Sequence, residues 1–163
     1  MYQIEVKRQL VVHRFSPSDG WEVTVDLDPM EMGVGEQQPE SKREITGQCR
    51  DWLRQRGVRL GTHPTYNRAN VVATHPDKGT HVFEVEGVSS RQPEQAVYSA
   101  LGQVMLAMTR FADDTAYGVA VSDLPWYERQ LRKVPVQVCR RLDLLLMLVS
   151  SDDVRLIELY GES

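Results

Sequence analysis

The sequence predicts an α/β fold, a mixed central β-sheet flanked by helices. Two observations carry that expectation. Short β-branched runs are interleaved with stretches of helical apolar period, and elements of these lengths in alternation layer helices onto a sheet. The chain also has 163 residues, 41% apolar and 26% charged, with no internal repeat or long low-complexity tract, which suits one domain with its own core.

Residues 2 to 15 and 21 to 27 read as two strands, with Val11 and Val12 in the first and Trp21, Val23 and Val25 alternating in the second. Ser16-Pro17-Ser18-Asp19-Gly20 forms the turn between them, so residues 1–30 are expected to be an N-terminal β-hairpin appended to a core spanning 40–163. Asp28 to Pro39 carries Pro, Gly, Glu and Gln without period and reads as a linker. Ser41 with Glu44 fits a capping box, Ile45, Cys49, Trp52 and Leu53 recur at helical spacing, and Gly57 suits a helix end, which predicts a helix over 42–56.

Val58 to Leu60 begins a short strand, and Asn70 to Thr74 and Thr80 to Glu86 form a hairpin across His75-Pro76-Asp77-Lys78-Gly79. Pro93 opens a second helix, which Ala96, Val97, Ala100, Leu101, Val104, Met105, Met108 and Phe111 continue as a wide apolar face. Ala116 to Val121 reads as a buried strand. Short helices follow near Trp126 and over Val136 to Leu142, and Leu144 to Val149 and Val154 to Leu159 close the chain as paired strands.

Composition narrows the function classes. The longest apolar run, Leu144 to Val149, is far short of the roughly 20 residues of a membrane span, so a cytoplasmic protein without membrane contact is expected. Cys49 and Cys139 lack the spacing of a zinc site or a disulfide framework and read as buried thiols. A net charge of −4 gives no global attraction to nucleic acid. Any phosphate track must be local, in Lys42, Arg43, Arg50, Arg54, Arg56 and Arg59 or in Arg129, Arg132, Lys133, Arg140 and Arg141, both of which also suit solvated helix faces.

One pattern could carry chemistry. On the strand from Thr80 to Glu86, side chains alternate between faces, so Glu84 and Glu86 project together with Val82. Like charges side by side on a buried strand need neutralising, and hard oxygen ligands suit Mg²⁺ or Mn²⁺. Asn70, on the neighbouring strand, can reach the same place. Solvation at a sheet edge explains the pair equally well. The four histidines show no ligand spacing, Gly33-Val34-Gly35 lacks the context of a phosphate loop, and Ser89-Ser90 suit helix caps.

The stretch from Asn70 to Gly87, with Glu84-Val85-Glu86 at its end, resembles the central hairpin of the PD-(D/E)XK (restriction-endonuclease-like) nucleases. Arg50 to Val58 resembles the preceding helix and its exit, and Gln95 to Gln103 the following helix, so the resemblance covers about three-quarters of the chain, from residue 42 onward. It places Asn70 where the family has a metal-binding aspartate and Glu86 where it has a lysine. Glu84 matches outright, and some active restriction enzymes of the superfamily carry glutamate in the lysine position.

Asp77 beside Pro76 falls in the hairpin turn and is read as turn chemistry. What the resemblance implies is a nuclease hydrolysing phosphodiester bonds with Mg²⁺ or Mn²⁺. Glu84 and Glu86 would be catalytic metal ligands, Asn70 a neutral ligand, and Gln103 would orient the nucleophile or a phosphate; Glu44 is a further, weaker candidate. The implied partner is nucleic acid, DNA ahead of RNA. The alternative is an inactive nuclease-like module that binds nucleic acid or protein, and a homodimer or a protein partner stays open.

Overall fold

Residues 1–32, 38–89 and 92–158 are described by the computed structural model. Their strands are β1 (Glu22–Val25), β2 (Arg59–Leu60), β3 (Val71–His75), β4 (Gly79–Glu86), β5 (Thr115–Ser122), β6 (Leu144–Val149) and β7 (Val154–Leu156). They form one mixed sheet in the order β2-β1-β3-β4-β5-β6-β7. β1, β3 and β4 run antiparallel in sequence, β4, β5 and β6 are parallel, and β7 turns back antiparallel on β6. The predicted α/β class with a mixed, helix-flanked sheet is what this architecture has.

The helices divide between the two faces. α1 (Gln3–His13) and α2 (Glu40–Gln55) cover one face, with Ile4, Leu10, Cys49 and Leu53 packed on Val23, Val71, Phe83 and Val85. α3 (Pro93–Ala107), α4 (Pro125–Leu131) and α5 (Val136–Leu142) cover the other, with Val97, Val104, Tyr127, Leu131 and Cys139 against Val72, Val82, Val119 and Leu146. Both cysteines are buried and free. Among the described residues, no helix is long and apolar enough to cross a membrane.

The N-terminal β-hairpin does not form. Residues 3–13 are helical, and β1 pairs with β2 and β3 inside the main sheet instead of with the preceding segment. Burial of Ile4, Lys7, Leu10 and Val11 has the three-and-four spacing of a helix, whereas a strand would have put Leu10 and Val11 on opposite faces. A lysine in the buried stripe hides that period, because it reads as a polar interruption. The Glu5 carboxylate accepts the Tyr2 backbone N–H at 2.6 Å and fixes the helix start.

Other boundaries move for local reasons. α2 begins one turn-position before Ser41, after Pro39, so Ser41 lies inside the helix and the predicted capping box is absent, while Glu44 accepts from Gln48 at 3.3 Å. Gly57 does end this helix, at φ 80°. α3 stops at Ala107, so Phe111 stands 74% exposed instead of continuing the apolar face. The β3–β4 turn is closed by Gly79 at φ 75°, where a Cβ would lie 2.0 Å from the Asp114 carbonyl oxygen. Leu159, Ser90 and the Gly33-Val34-Gly35 stretch lie outside the described residues.

Candidate functional site

The register of the sheet sets the site. Val25 pairs with Val71 and Val71 with Phe83, and the next residues continue the row: Asp26 donates its N–H to the Asn70 carbonyl at 2.8 Å, and Asn70 donates to the Phe83 carbonyl at 3.1 Å. Asp26 and Asn70 thus end beside Glu84, whose carboxyl feels both, and Glu86 follows two residues on in β4. This row sits where β1 and β4 end and β3 begins.

A cleft of about 520 Å³ opens at that end of the sheet. Asn70, Glu86 and Gln103, three of the four residues singled out by sequence, line it. Glu84 lies one step further into the sheet and is 1% exposed. Gln103 reaches the cleft from α3, exposed, with its amide donating to Ser99 at 3.3 Å. Asp77 stays in the exposed hairpin turn, where its N–H meets the His75 ring at 3.0 Å. The turn reading of Asp77 agrees with that position.

Asn70 has a defined task. Its Oδ1 accepts the Val85 N–H at 2.8 Å and lies 3.5 Å from the Gln3 amide nitrogen, which also donates to the Val85 carbonyl at 2.7 Å. The side chain thus clamps the strand between the two glutamates, and its oxygen is engaged by protein donors.

Glu84 is the electrostatic anomaly. Burial pushes its carboxyl up to about 8, Glu86 and Asp26 push in the same direction, and the positive charge of Lys7 and the Asn70 backbone oppose them. Its Oε1 is buried without a hydrogen-bond donor. Burial favours the protonated form, because a bare carboxylate in this position has lost its water without gaining a counter-charge of its own.

Sequence reasoning missed the groups that surround this carboxyl. Lys7, 1% exposed on α1, donates to the Asp26 carbonyl at 2.8 Å and to Glu31 Oε2 at 2.6 Å. Glu31 and Asp28 face the cleft from the turn after β1, and Lys42 faces it from α2 with its ammonium 5.0 Å from the centre of the Tyr2 ring. The misassigned N-terminal segment therefore builds one wall. Its local signal was the helical spacing of Ile4, Leu10 and Val11, which Lys7 interrupts.

Close packing holds that wall in place. A Cβ on Gly87 would lie 2.2 Å from the Gln3 backbone nitrogen, so the start of α1 rests directly on the chain leaving β4. Val88 donates to the Met1 carbonyl at 2.8 Å, and the buried Tyr127 hydroxyl donates to the Gly87 carbonyl at 2.9 Å.

Several residues of the basic stretches found in the sequence are engaged elsewhere. Arg54 lies 4.0 Å from Asp51, Arg59 3.6 Å from Glu22 and Arg132 2.7 Å from Glu128, while Arg56 stacks over Trp52. Among the described residues, no group of three or more His, Cys, Asp or Glu side chains is placed to hold a metal ion.

No family model matches the chain, and no curated protein does. Among solved structures it is similar to the SPO1766 protein of unknown function from Silicibacter pomeroyi, at 13% identity over 100% of this chain and 74% of that one, with a TM-score of 0.45.

Proposed function

We propose that the chain is a metal-dependent nuclease of the PD-(D/E)XK type, hydrolysing phosphodiester bonds of nucleic acid, with Glu84 and Glu86 as the ligands of Mg²⁺ or Mn²⁺. One observation carries the reading: a carboxyl buried at the end of the sheet, with an oxygen that no donor satisfies and acids on either side. That donor set fits a hard cation. Mg²⁺ commonly takes one or two carboxylates from a protein and completes its shell with water and substrate phosphate, so a closed three-acid cage is not required. When bound, such an ion polarises a phosphoryl oxygen and lowers the pKa of water.

The antiparallel β3–β4 pair, the helix that follows it and the parallel β5 beside β4 support the resemblance read from sequence. Asn70 braces the strand through Val85, so ligation falls to the two glutamates. Lys7 supplies the positive charge beside Glu84 that Glu86, in the strand, does not. Gln103 lines the cleft and would hold a phosphate or water there.

The test is calorimetric titration of Mn²⁺ and Mg²⁺ at pH 7 in two buffers of different ionisation enthalpy, followed by incubation with labelled single- and double-stranded DNA and RNA. Uptake is expected to release close to one proton, from Glu84, and Glu84→Gln is expected to lose both proton release and cleavage. Absence of uptake and cleavage in the parent protein would refute the reading. It would leave the alternative, an inactive nuclease-like module that binds nucleic acid or protein, which the Lys7–Glu31 pair favours because it already places a cation in the cleft.

A further inference from the structure

The Lys7–Glu31 pair is poorly built as a structural brace. Lys7 is buried, and its ammonium is held by the Asp26 carbonyl and by Glu31 Oε2. Glu31 is 7% exposed; its Oε2 also accepts the Asp28 N–H at 3.0 Å, but its Oε1 is buried with no donor. Burial raises its carboxyl more than Lys7 and the Asp28 backbone lower it. An ion pair retained for stability would satisfy both oxygens, since an unpaired buried acceptor forfeits its hydration without return.

Glu31 is also mounted on a turn that holds itself together. The Asp28 carboxylate accepts the Glu31 N–H at 2.7 Å, and the Met32 N–H meets the Asp28 carbonyl at 3.0 Å. Met30 and Met32 flank it at 49% and 43% exposure, and the Arg50 guanidinium donates to the Met32 carbonyl at 3.0 Å. The turn is thus closed on itself by Asp28 and tied to α2 by Arg50, which leaves the Glu31 side chain as the part that can give way.

We infer that Glu31 is an internal place-holder for a phosphate, and that Lys7 is the phosphate-binding residue of the cleft, available when the Glu31 carboxylate is displaced. A carboxylate and a phosphate offer the same charged acceptor oxygens to an ammonium, and phosphate has further oxygens for Lys42, which also lines the cleft. Two anions side by side on Lys7 repel each other, so the Glu31 carboxylate sets how readily the site accepts ligand. This assignment rests on the reading of the cleft as a phosphodiester site and adds how access to it is controlled.

Inorganic phosphate, titrated at pH 7 without divalent cations into the parent protein and into Glu31→Gln, tests it, with acetate as the carboxylate control. Glu31→Gln keeps an acceptor for Lys7 and removes the competing charge, so at least a tenfold gain in phosphate affinity is expected, with a smaller gain for acetate. Adding Lys7→Met to that variant is expected to abolish the gain.

Asp28→Ala frees the Glu31 N–H but also takes a negative charge from the cleft, so it is read against Asp28→Asn, which removes the charge and keeps an acceptor. Phosphate affinity at least threefold above that of Asp28→Asn is expected, which keeps the test open if Glu31→Gln folds poorly. Unchanged affinity in Glu31→Gln with no gain of Asp28→Ala over Asp28→Asn, or a gain that survives Lys7→Met, would overturn the inference. Because no cleavage or cation uptake enters these titrations, their failure is separable from failure of the nuclease reading.

Discussion

Replacing Glu84 by glutamine should remove much of the pH dependence of this protein's stability. Glu84 begins at an ordinary value of 4.5 in the unfolded chain and is held at about 8 in the fold, chiefly by burial. A group whose folded pKa is raised binds its proton more tightly when folded. Stability from this carboxyl is therefore complete below pH 4.5 and is lost as pH climbs through 8. A shift of about 3.5 units at 1.36 kcal/mol per unit corresponds to roughly 5 kcal/mol across that window, of which about 3 kcal/mol is already lost at pH 7.

Urea denaturation at a series of pH values from 5 to 9 in cation-free buffer reads the effect directly. Glu31, also raised by burial, contributes its own slope, so the quantity to follow is the difference between parent and Glu84→Gln. Glutamine cannot ionise, and the variant is expected to be the more stable protein at pH 8 and above, by on the order of 3–5 kcal/mol. Parallel curves for the two proteins across the whole range would refute the argument, because Glu84 would then titrate alike folded and unfolded. Excess Mn²⁺ should flatten the parent's slope toward that of the variant, since a bound cation removes the cost of the charged form.

Two further substitutions probe the wall that α1 builds. Gly87→Ala puts a methyl 2.2 Å from the Gln3 backbone nitrogen, which cannot move aside as a side chain tip would; it should cost about 2–3 kcal/mol by thermal or chemical denaturation and weaken cation uptake along with it. Lys7→Met leaves Glu31 buried without its partner and Glu84 without its nearest positive charge. A loss of about 3–5 kcal/mol is expected, most of it recovered when Glu31→Leu is added, and a double variant no more stable than the single would show that the pair's charges are not coupled.

How much of this was legible in the sequence follows from the range of the interactions. The β3–β4 hairpin, α3 and β6 are written locally, in Pro-Gly turn chemistry and unbroken apolar patterns, and the cleft inherits Asn70, Glu86 and Gln103 from them. Glu84 and Glu86 share a face because strand alternation demands it, and that too is local. The first helix was hidden by one of its own residues: Lys7 in the buried stripe breaks the period that would have announced it, while the adjacent Val11 and Val12 favour a strand by propensity. Asp26 and Glu31 carry no local signal, since what matters is which strand end and which ammonium the folded chain brings beside them.

The hydrogen bonds at the start of α1 also bear on folding order. Gln3 reaches a carbonyl 82 residues away in sequence, and the Ser122 hydroxyl donates to the Met1 carbonyl across 121 residues. The α1 segment can take its seat only once β4 and β5 exist to receive it. Contacts of such sequence separation are slow to close, and until they do an amphipathic helix with a lysine in its apolar stripe has no partner. The wall of the cleft and the late step of folding are the same piece of chain, so a change that loosens one should be felt in the rate of the other.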